Sequence, residues 1–262
     1  MTDIVIVGAG QAGGSAALQL RSAGFKGAIT LIGAEPHPPY ERPPLSKAYL
    51  TGELAYDALL LRPPTFYGDQ NVQLLTDTSV TSVDPVTKTV TTAQKQTVQF
   101  DKLLLATGAR PRQLPIPGAD LPGVHYLRTL GDVAALQETM QRAQRVCLIG
   151  GGYVGLEFAS VARKAGLNVT VLEAADRLLQ RVTTPEMSEY FADLHRSHGV
   201  DVCVGACIQE IQGAGQVERV VCDHGTVAAD LVLIGIGALP NTEVAEAAGL
   251  ACDNGIQVDE MC

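Results

Sequence analysis

Residues 4–13 read Ile-Val-Ile-Val-Gly-Ala-Gly-Gln-Ala-Gly, and residues 146–155 read Val-Cys-Leu-Ile-Gly-Gly-Gly-Tyr-Val-Gly. In both stretches a short apolar strand leads into glycines spaced G-x-G-x-x-G and then into an Ala/Leu-rich segment typical of a helix. The first glycine permits a tight turn, the second lets backbone approach a pyrophosphate, and the third lets the helix pack on the sheet. Because the anion sits at the helix N-terminus, the sequence predicts two bound dinucleotides.

The two copies remain similar beyond their glycines. Arg21-Ser22-Ala23-Gly24 mirrors Arg163-Lys164-Ala165-Gly166, and each final glycine suits the C′ position that ends a helix. The strand that follows reaches Glu35 in one copy and Glu173 in the other, where a ribose 2′-hydroxyl needs an acceptor. Residues 101–111 match residues 230–240 as a buried strand stopped by Gly and Pro. A chance glycine turn explains one such motif, but it does not explain the whole set.

Composition narrows the class of protein. The chain has 262 residues, 46% of them hydrophobic, so it can bury a large core and form two domains. A net charge of −9 argues against a nucleic-acid partner, which needs a concentrated basic surface. No uninterrupted apolar run of about 18 residues occurs and the N-terminus enters its first strand directly, so we expect a cytoplasmic protein without a membrane partner.

The six cysteines are dispersed, and none of them forms C-x-x-C. They are therefore expected to be mostly small buried hydrophobic residues in a reducing compartment, without a metal site. Cys147, Cys203 and Cys222 lie in predicted strands. The six are Cys147, Cys203, Cys207, Cys222, Cys252 and Cys262.

Each copy also contains a Thr/Val-rich patch of alternating pattern, at residues 80–100 and 202–227, which predicts a small antiparallel meander. Residues 110–122 contain four prolines and resemble a linker. We therefore predict one discontinuous domain of residues 1–112 and 241–262, and a second of residues 113–240.

The segment Pro39-Tyr40-Glu41-Arg42-Pro43-Pro44-Leu45-Ser46-Lys47, together with both glycine loops and Ala106-Thr107-Gly108, resembles the NADH-dependent ferredoxin reductases of bacterial oxygenase systems. The resemblance extends over essentially the whole chain. It implies an α/β fold with two Rossmann-like, glutathione-reductase-like domains, each carrying an antiparallel meander. It further implies FAD in the first site, NADH in the second, hydride transfer to the flavin, and single electrons leaving to a ferredoxin or rubredoxin, a small iron–sulfur protein.

The resemblance also implies roles for individual residues. In the FAD site the pyrophosphate is assigned to the glycine loop, the ribose to Glu35, the adenine to Val80 and the flavin ring to Arg42 and Lys47. The expected FAD residues are Gly8, Gly10, Ala12, Gly13, Glu35, Arg42, Lys47, Val80, Ala106, Thr107, Gly108 and Arg128. The expected NADH residues are Gly150, Gly152, Tyr153, Val154, Gly155, Glu157, Glu173, Arg181, Gly235, Ile236 and Gly237.

Two of these residues are the catalytic candidates. Lys47 places a cation where negative charge appears on flavin reduction, although a solvated surface lysine is the simpler interpretation. Glu157 is expected to pair with Lys47 and to contact the nicotinamide carboxamide. The alternative is an acidic residue placed in the first turn of a helix by the helix dipole.

Glu173 is expected to select NADH, because a carboxylate repels the 2′-phosphate of NADPH. Arg177 and Arg181 lie nearby in sequence and offset that repulsion in part if they face the same site. Arg181 has two further interpretations, as a ligand of the NADH pyrophosphate or as a solvent-facing arginine.

Two features distinguish this chain from other proteins with two Rossmann-like domains. Disulfide reductases have a cysteine pair where this chain has proline, leucine and serine, so we expect electrons to leave directly from the flavin. The family pattern continues beyond residue 262 with a Gly-Asp segment and a C-terminal domain, so we expect an incomplete FAD domain. The alternative function is an inactive NAD-binding remnant that no longer holds FAD.

Overall fold

The computed structural model describes residues 2–260 of the chain. Within these residues the chain divides into two compact units. The first unit contains residues 2–42, 55–110 and 239–260, and the second contains residues 43–54 and 111–238. Each unit has its own parallel sheet and its own hydrophobic core, as the predicted α/β fold with two dinucleotide-binding domains requires.

The first unit is built around a four-stranded sheet in the order β3-β2-β1-β7, in which every neighbouring pair is parallel. Elements are numbered along the whole chain. Those of this unit are β1 (Ile4–Val7), α1 (Gln11–Ser22), β2 (Ile29–Ile32), α2 (Tyr56–Leu59), α3 (Pro64–Asp69), β3 (Val72–Leu75), β4 (Val80–Asp84), β5 (Thr89–Thr92), β6 (Thr97–Gln99), β7 (Lys102–Leu105) and α7 (Glu243–Ala247).

The second unit is built around a five-stranded parallel sheet in the order β12-β11-β10-β16-β9. Its elements are a 3-10 helix (Pro43–Ser46), β9 (Val124–His125), α4 (Leu130–Met140), β10 (Arg145–Ile149), α5 (Tyr153–Lys164), β11 (Asn168–Glu173), α6 (Pro185–Ser197), β12 (Val200–Val204), β13 (Ile208–Gln212), β14 (Arg219–Cys222), β15 (Gly225–Ala228) and β16 (Leu231–Ile234).

The internal duplication is confirmed in the geometry of the first βαβ step of each unit. Helices α1 and α5 each have 12 residues, and each is followed by a glycine, Gly24 or Gly166, with a φ of +84°. This left-handed conformation suits glycine because it has no Cβ to clash. The side chains of Arg21 and Arg163 also act alike, since each donates to carbonyl groups beyond the C-terminus of its own helix.

The antiparallel meander of the first unit is confirmed as β4-β5-β6. That of the second unit is confirmed in type but begins later than predicted. Its strands are β13-β14-β15, from Ile208 to Ala228, whereas Val202 lies in β12 of the parallel sheet. The apolar residues of β12 and of the meander follow one another without a strong break, so sequence periodicity alone does not separate them.

The predicted linker is held firmly on the second unit. The carbonyls of Pro117 and Pro122 accept hydrogen bonds from Ile211 and Val217, and Leu114, Ile116 and Leu121 pack on the same core. The chain passes between the units within two short strands, β8 (Ala109–Pro111) and β17 (Ala238–Pro240), which pair with each other.

Residues 43–54 belong to the second unit, whereas the sequence-based division assigned them to the first domain. Gln137 of α4 holds this segment, because its Nε2 atom donates to the carbonyl of Leu50 at 3.0 Å and to that of Tyr49 at 3.4 Å. These contacts join residues nearly 90 positions apart in the chain, so no local pattern in the sequence predicts them.

Cys147, Cys203 and Cys222 lie in strands as predicted, and Cys147 and Cys222 are buried. The five cysteines within residues 2–260 are free thiols, whereas Cys262 lies outside the described residues. Between residues 2 and 260, no helix has the length and apolar character needed to cross a membrane.

Candidate dinucleotide sites

The first glycine loop connects β1 to α1. Gly8 has a φ of +114°, and a Cβ atom there would lie 2.0 Å from the carbonyl oxygen of Ala106 at the end of β7. A Cβ on Gly13 would lie 1.9 Å from the carbonyl oxygen of Gly8. These distances are far shorter than a van der Waals contact, so the predicted roles of the first and third glycines in turn and packing are confirmed.

Gly10 differs from its neighbours because a Cβ built on it meets no protein atom within 4 Å. It is the N-cap of α1, and no side chain caps this helix end. Ala12 is exposed in the first turn of this helix. Open space beside uncapped backbone N–H groups of a 12-residue helix fits an anionic group such as a dinucleotide pyrophosphate.

The segment Ala106-Thr107-Gly108 follows β7 and is held by a residue that the sequence analysis did not select. Thr107 Oγ1 donates to the carbonyl of Asn241 at 2.6 Å, and Asn241 Nδ2 donates back to the carbonyl of Thr107 at 2.8 Å. In the sequence, the polar Asn-Thr pair after Pro240 was the only feature that could have pointed to this contact.

Val80 begins β4 and packs on the core of the first unit. Its proposed contact with the adenine remains a prediction.

Glu35 lies in a polar cluster with Tyr40 and Arg42. Tyr40 is buried, and its hydroxyl donates to Glu35 Oε2 at 2.6 Å. The Arg42 guanidinium donates to Glu35 Oε1 at 2.6 Å and lies 5.0 Å from the centre of the Tyr40 ring. The structure therefore brings Arg42 to the carboxylate predicted for the ribose, whereas its role beside the flavin ring remains a prediction.

Strand register corrects the expected equivalence of Glu35 and Glu173. Val7 pairs with Ile32 in the first sheet, as Ile149 pairs with Leu172 in the second. Gly33, and not Glu35, is therefore the counterpart of Glu173. A Cβ on Gly33 would lie 2.5 Å from the Cβ of Ala9, so the glycine loop itself occupies that space. Glu35 reaches its place from a loop two residues farther along.

The second glycine loop, between β10 and α5, repeats the first. Gly150 has a φ of +108°, and a Cβ on it would lie 2.5 Å from the carbonyl oxygen of Gly235. A Cβ on Gly155 would lie 2.4 Å from the Gly150 carbonyl oxygen, whereas at Gly152 the nearest atom is 3.9 Å away. Tyr153 and Val154 are exposed at the start of α5. This helix end therefore fits a second pyrophosphate.

Glu173 ends β11 and is tied directly to the second glycine loop. Its Oε2 atom accepts a hydrogen bond from the backbone N–H of Gly151 at 2.6 Å, and its Oε1 atom accepts one from Ala175 at 2.8 Å. The carboxylate is thus fixed beside the loop, and each oxygen has a further lone pair for a ribose hydroxyl.

The two nearby arginines have different environments. Arg177 donates to the carbonyls of Thr183 and Gln180 in the loop before α6 and to Ser188 Oγ within α6. Arg181 is exposed, and its guanidinium lies 3.5 Å from the position of a Cβ built on Gly237. Gly235 and Ile236 connect β16 to Gly237, so Arg181 lies at the end of this strand. The Arg177 guanidinium, in contrast, is already bound by two carbonyls and a serine hydroxyl.

The predicted pair of Lys47 and Glu157 is confirmed. Lys47 Nζ lies 2.8 Å from Glu157 Oε2 and also donates to the carbonyl of Pro43 at 3.2 Å. Ser46 was not among the predicted site residues, but its buried hydroxyl donates to the same Oε2 atom at 2.6 Å. The feature of the sequence that could have identified Ser46 is its position beside Lys47 in the Pro-Pro-Leu-Ser-Lys segment. These residues all belong to the second unit.

Arg128 lies in the second unit, just before α4. Its backbone N–H donates to Asp132 Oδ2 at 2.9 Å, beside the capping box that Thr129 and Asp132 form at the start of this helix. Its expected contact with FAD remains a prediction.

Two parallel sheets, each with a glycine loop that opens at its second glycine, define a protein with two dinucleotide-binding domains. The chain belongs to the pyridine nucleotide-disulphide oxidoreductase family, whose profile matches residues 2–262.

Individual members of the family show which kind of protein the chain is similar to. The rhodocoxin reductase of Rhodococcus erythropolis is 47% identical over 98% of this chain and 61% of that protein. The crystal structure of the ferredoxin reductase for the CYP199A2 system from Rhodopseudomonas palustris superimposes with a TM-score of 0.96 and 43% identity, over 99% of this chain and 65% of that one. The covalent putidaredoxin reductase–putidaredoxin complex gives 0.94 and 42%, over 97% of this chain and 63% of that one.

These relatives are longer proteins. The chain spans 61% of the length of the rhodocoxin reductase and 63% and 65% of the two crystallised chains.

Proposed function

We propose that the chain is the dinucleotide-binding part of a flavin-dependent reductase that oxidises NADH and delivers electrons to a small iron–sulfur protein. The observation that carries this proposal is the duplicated cradle, in which Gly10 and Gly152 both open onto space at a helix N-terminus. The relatives that match nearly the whole chain are named as reductases, one of them joined to its redox partner, putidaredoxin. They do not favour the alternative of an inactive remnant.

The second unit is assigned to NADH because of Glu173. Its fixed carboxylate accepts hydrogen bonds from a 2′-hydroxyl but repels a 2′-phosphate. Arg177, the nearest candidate to compensate that repulsion, is already engaged by two carbonyls and a serine. Arg181 remains exposed at Gly237, where we propose that it meets the NADH pyrophosphate.

The first unit is then assigned to FAD. It has glycine at the position of Glu173 and uses Glu35 from a later loop, held by Tyr40 and Arg42. Two different carboxylate positions fit two different dinucleotides. We propose that the domains follow the two units, with Val80 and Ala106 to Gly108 as further FAD residues of the first unit. Arg128 lies in the second unit, and its contact with FAD is a separate proposal.

When bound, the two cofactors would supply the redox chemistry, which is hydride transfer between NADH and FAD and one-electron transfer to the iron–sulfur protein. The contribution of this chain is to bind, orient and supply charge. We propose that Lys47 provides the cation that stabilises negative charge on flavin reduction, and that Glu157 orients the nicotinamide through its carboxamide. The Pro-Pro-Leu-Ser-Lys segment contains no cysteine, so no thiol relay operates there.

We propose that the protein works in the cytoplasm, where its free thiols remain reduced.

A coupled assay tests the proposed function. The chain, reconstituted with FAD, is mixed with NADH and either a purified ferredoxin or a rubredoxin, and reduction of the iron–sulfur protein is followed by its visible absorption. We expect reduction that requires both FAD and NADH and that is slower with NADPH. A chain that binds both dinucleotides but reduces neither acceptor would overturn the assignment of the acceptor class.

A further inference from the structure

Within residues 2–260, the Glu157 carboxylate binds the protein through one of its two oxygens. Its Oε2 atom receives the Ser46 hydroxyl at 2.6 Å and the Lys47 ammonium at 2.8 Å. Among the residues that the structure describes, Oε1 has no hydrogen-bond donor. This oxygen therefore keeps its full capacity to accept hydrogen bonds from a ligand.

The two donors on Oε2 are not equivalent. The side chain of Lys47 is 50% exposed, and an exposed ion pair on a flexible stem fixes geometry weakly. Ser46 is only 6% exposed, and its short side chain donates a buried hydrogen bond to a charged acceptor. Such bonds are short, directional and strong. Ser46 therefore determines the orientation of the carboxylate more than Lys47 does.

The residues before and after Ser46 hold it in place. It ends the 3-10 helix that begins with two prolines, whose rings restrict the backbone. After it, the N–H groups of Lys47 and Tyr49 donate to the Pro44 carbonyl, and Gln137 binds the carbonyls of Tyr49 and Leu50. The hydroxyl thus belongs to a preorganised turn.

We propose that Ser46 is a positioning residue for the nicotinamide end of the NADH site. By holding Oε2, it turns Oε1 toward the carboxamide N–H₂ group and keeps it there whether or not Lys47 is engaged. This inference rests on the proposed function, which assigns Glu157 to the nicotinamide.

The test compares two ligands that differ only at that end. NAD⁺ carries the nicotinamide, whereas ADP-ribose lacks it and retains the adenosine and pyrophosphate. Their dissociation constants are measured calorimetrically for the full chain and for Ser46→Ala, Ser46→Cys, Glu157→Gln and Ser160→Ala. Ser160 is the control, because its exposed hydroxyl lies on the same helix.

We expect Ser46→Ala to weaken NAD⁺ binding by about fivefold, as for the loss of one hydrogen bond, and to leave ADP-ribose binding unchanged. Ser46→Cys fills the same space with a weak donor, so it should behave like Ser46→Ala. Ser160→Ala should match the parent chain. Equal weakening of both ligands by Ser46→Ala, or no weakening of either, would overturn the positioning role.

Glu157→Gln distinguishes a failure of this inference from a failure of the proposed function. If Glu157→Gln changes NAD⁺ binding but Ser46→Ala does not, only the role of Ser46 is wrong. If Glu157→Gln leaves the binding of both ligands unchanged, the assignment of Glu157 to the nicotinamide is wrong, and the inference fails with it.

Discussion

The Oε2 atom of Glu173 accepts a hydrogen bond from the backbone N–H of Gly151 at 2.6 Å, so the residue that ends β11 also fixes the glycine loop after β10. The first unit has no counterpart of this contact, because Gly33 occupies the equivalent register position. The duplicated units therefore differ at the point where ribose recognition is expected. This difference supports the assignment of different dinucleotides to them.

Replacing Glu173 by alanine should narrow the preference for NADH over NADPH. The change removes the acceptor for the 2′-hydroxyl and the charge that repels a 2′-phosphate, which together are worth roughly 1 to 3 kcal/mol. Dissociation constants for both nucleotides, measured by fluorescence titration, give the preference. Asp176→Ala is the control, since Asp176 is an exposed carboxylate three residues away. An unchanged preference in Glu173→Ala would refute the assignment.

Valine at the second glycine of each loop should block one dinucleotide and spare the other. Gly10 and Gly152 have φ values of −87° and −85°, which valine tolerates, and a Cβ at either has open space or ordinary contact. Gly10→Val should therefore fold, lose FAD and keep NADH binding, and Gly152→Val should do the reverse. Flavin content and NADH titration separate the two effects.

The matched control for these variants is Gly13→Val. A Cβ there would lie 1.9 Å from backbone, so this change should destabilise the fold itself. If Gly10→Val lowers the free energy of unfolding as much as Gly13→Val does, the space beside Gly10 is not a ligand site.

Removing the hydroxyl of Tyr67 should stabilise the first unit. Tyr67 is 1% exposed, and its hydroxyl has no hydrogen-bond partner among the described residues. Burial raises its pKa to about 12. Because an unsatisfied buried hydroxyl carries a desolvation penalty, Tyr67→Phe should raise the free energy of unfolding by about 1 kcal/mol. Urea unfolding measures this, with the exposed Tyr190→Phe as control. A loss of stability would contradict this prediction.

Acidification should weaken the attachment of α4 to β9 through His125. Its Nε2 atom lies 2.8 Å from Thr139 Oγ1, and burial lowers the pKa of His125, although Asp132 raises it in part. The unfolded chain then binds the proton more readily. The stability that neutral His125 contributes is therefore fully present above its pKa in the unfolded chain, about 6.5, and is lost as the pH falls below that value.

His125→Gln should accordingly lose less stability than the parent chain when urea unfolding is compared at pH 7.5 and pH 5.5. The exposed His224→Gln serves as the control for the loss of a histidine side chain. Equal pH dependence in the parent and in His125→Gln would contradict this role for His125.

Local sequence patterns predicted the features that depend on neighbouring residues. The two glycine loops, the strands before them and the glycines that end α1 and α5 all follow from backbone conformation and periodicity. The resemblance to a family added the contact between Lys47 and Glu157, which are 110 positions apart.

The remaining features depend on contacts that no local pattern encodes. Ser46 reaches Glu157 across 111 positions, and Asn241 reaches Thr107 across 134. The equivalence of Glu35 and Glu173 was wrong because a sequence alignment by acidic residue ignores strand register. Only the pairing of the strands shows that Glu35 lies two residues beyond the position equivalent to Glu173.

We propose above all that this chain holds FAD and NADH and passes hydride between them. The most direct measurement is the visible absorption spectrum of the purified chain, after reconstitution with FAD and removal of free flavin, before and after anaerobic addition of NADH. We expect a protein-bound flavin band that bleaches on addition of NADH. A chain that retains no flavin, or a flavin band that excess NADH leaves unchanged, would refute the proposed hydride transfer.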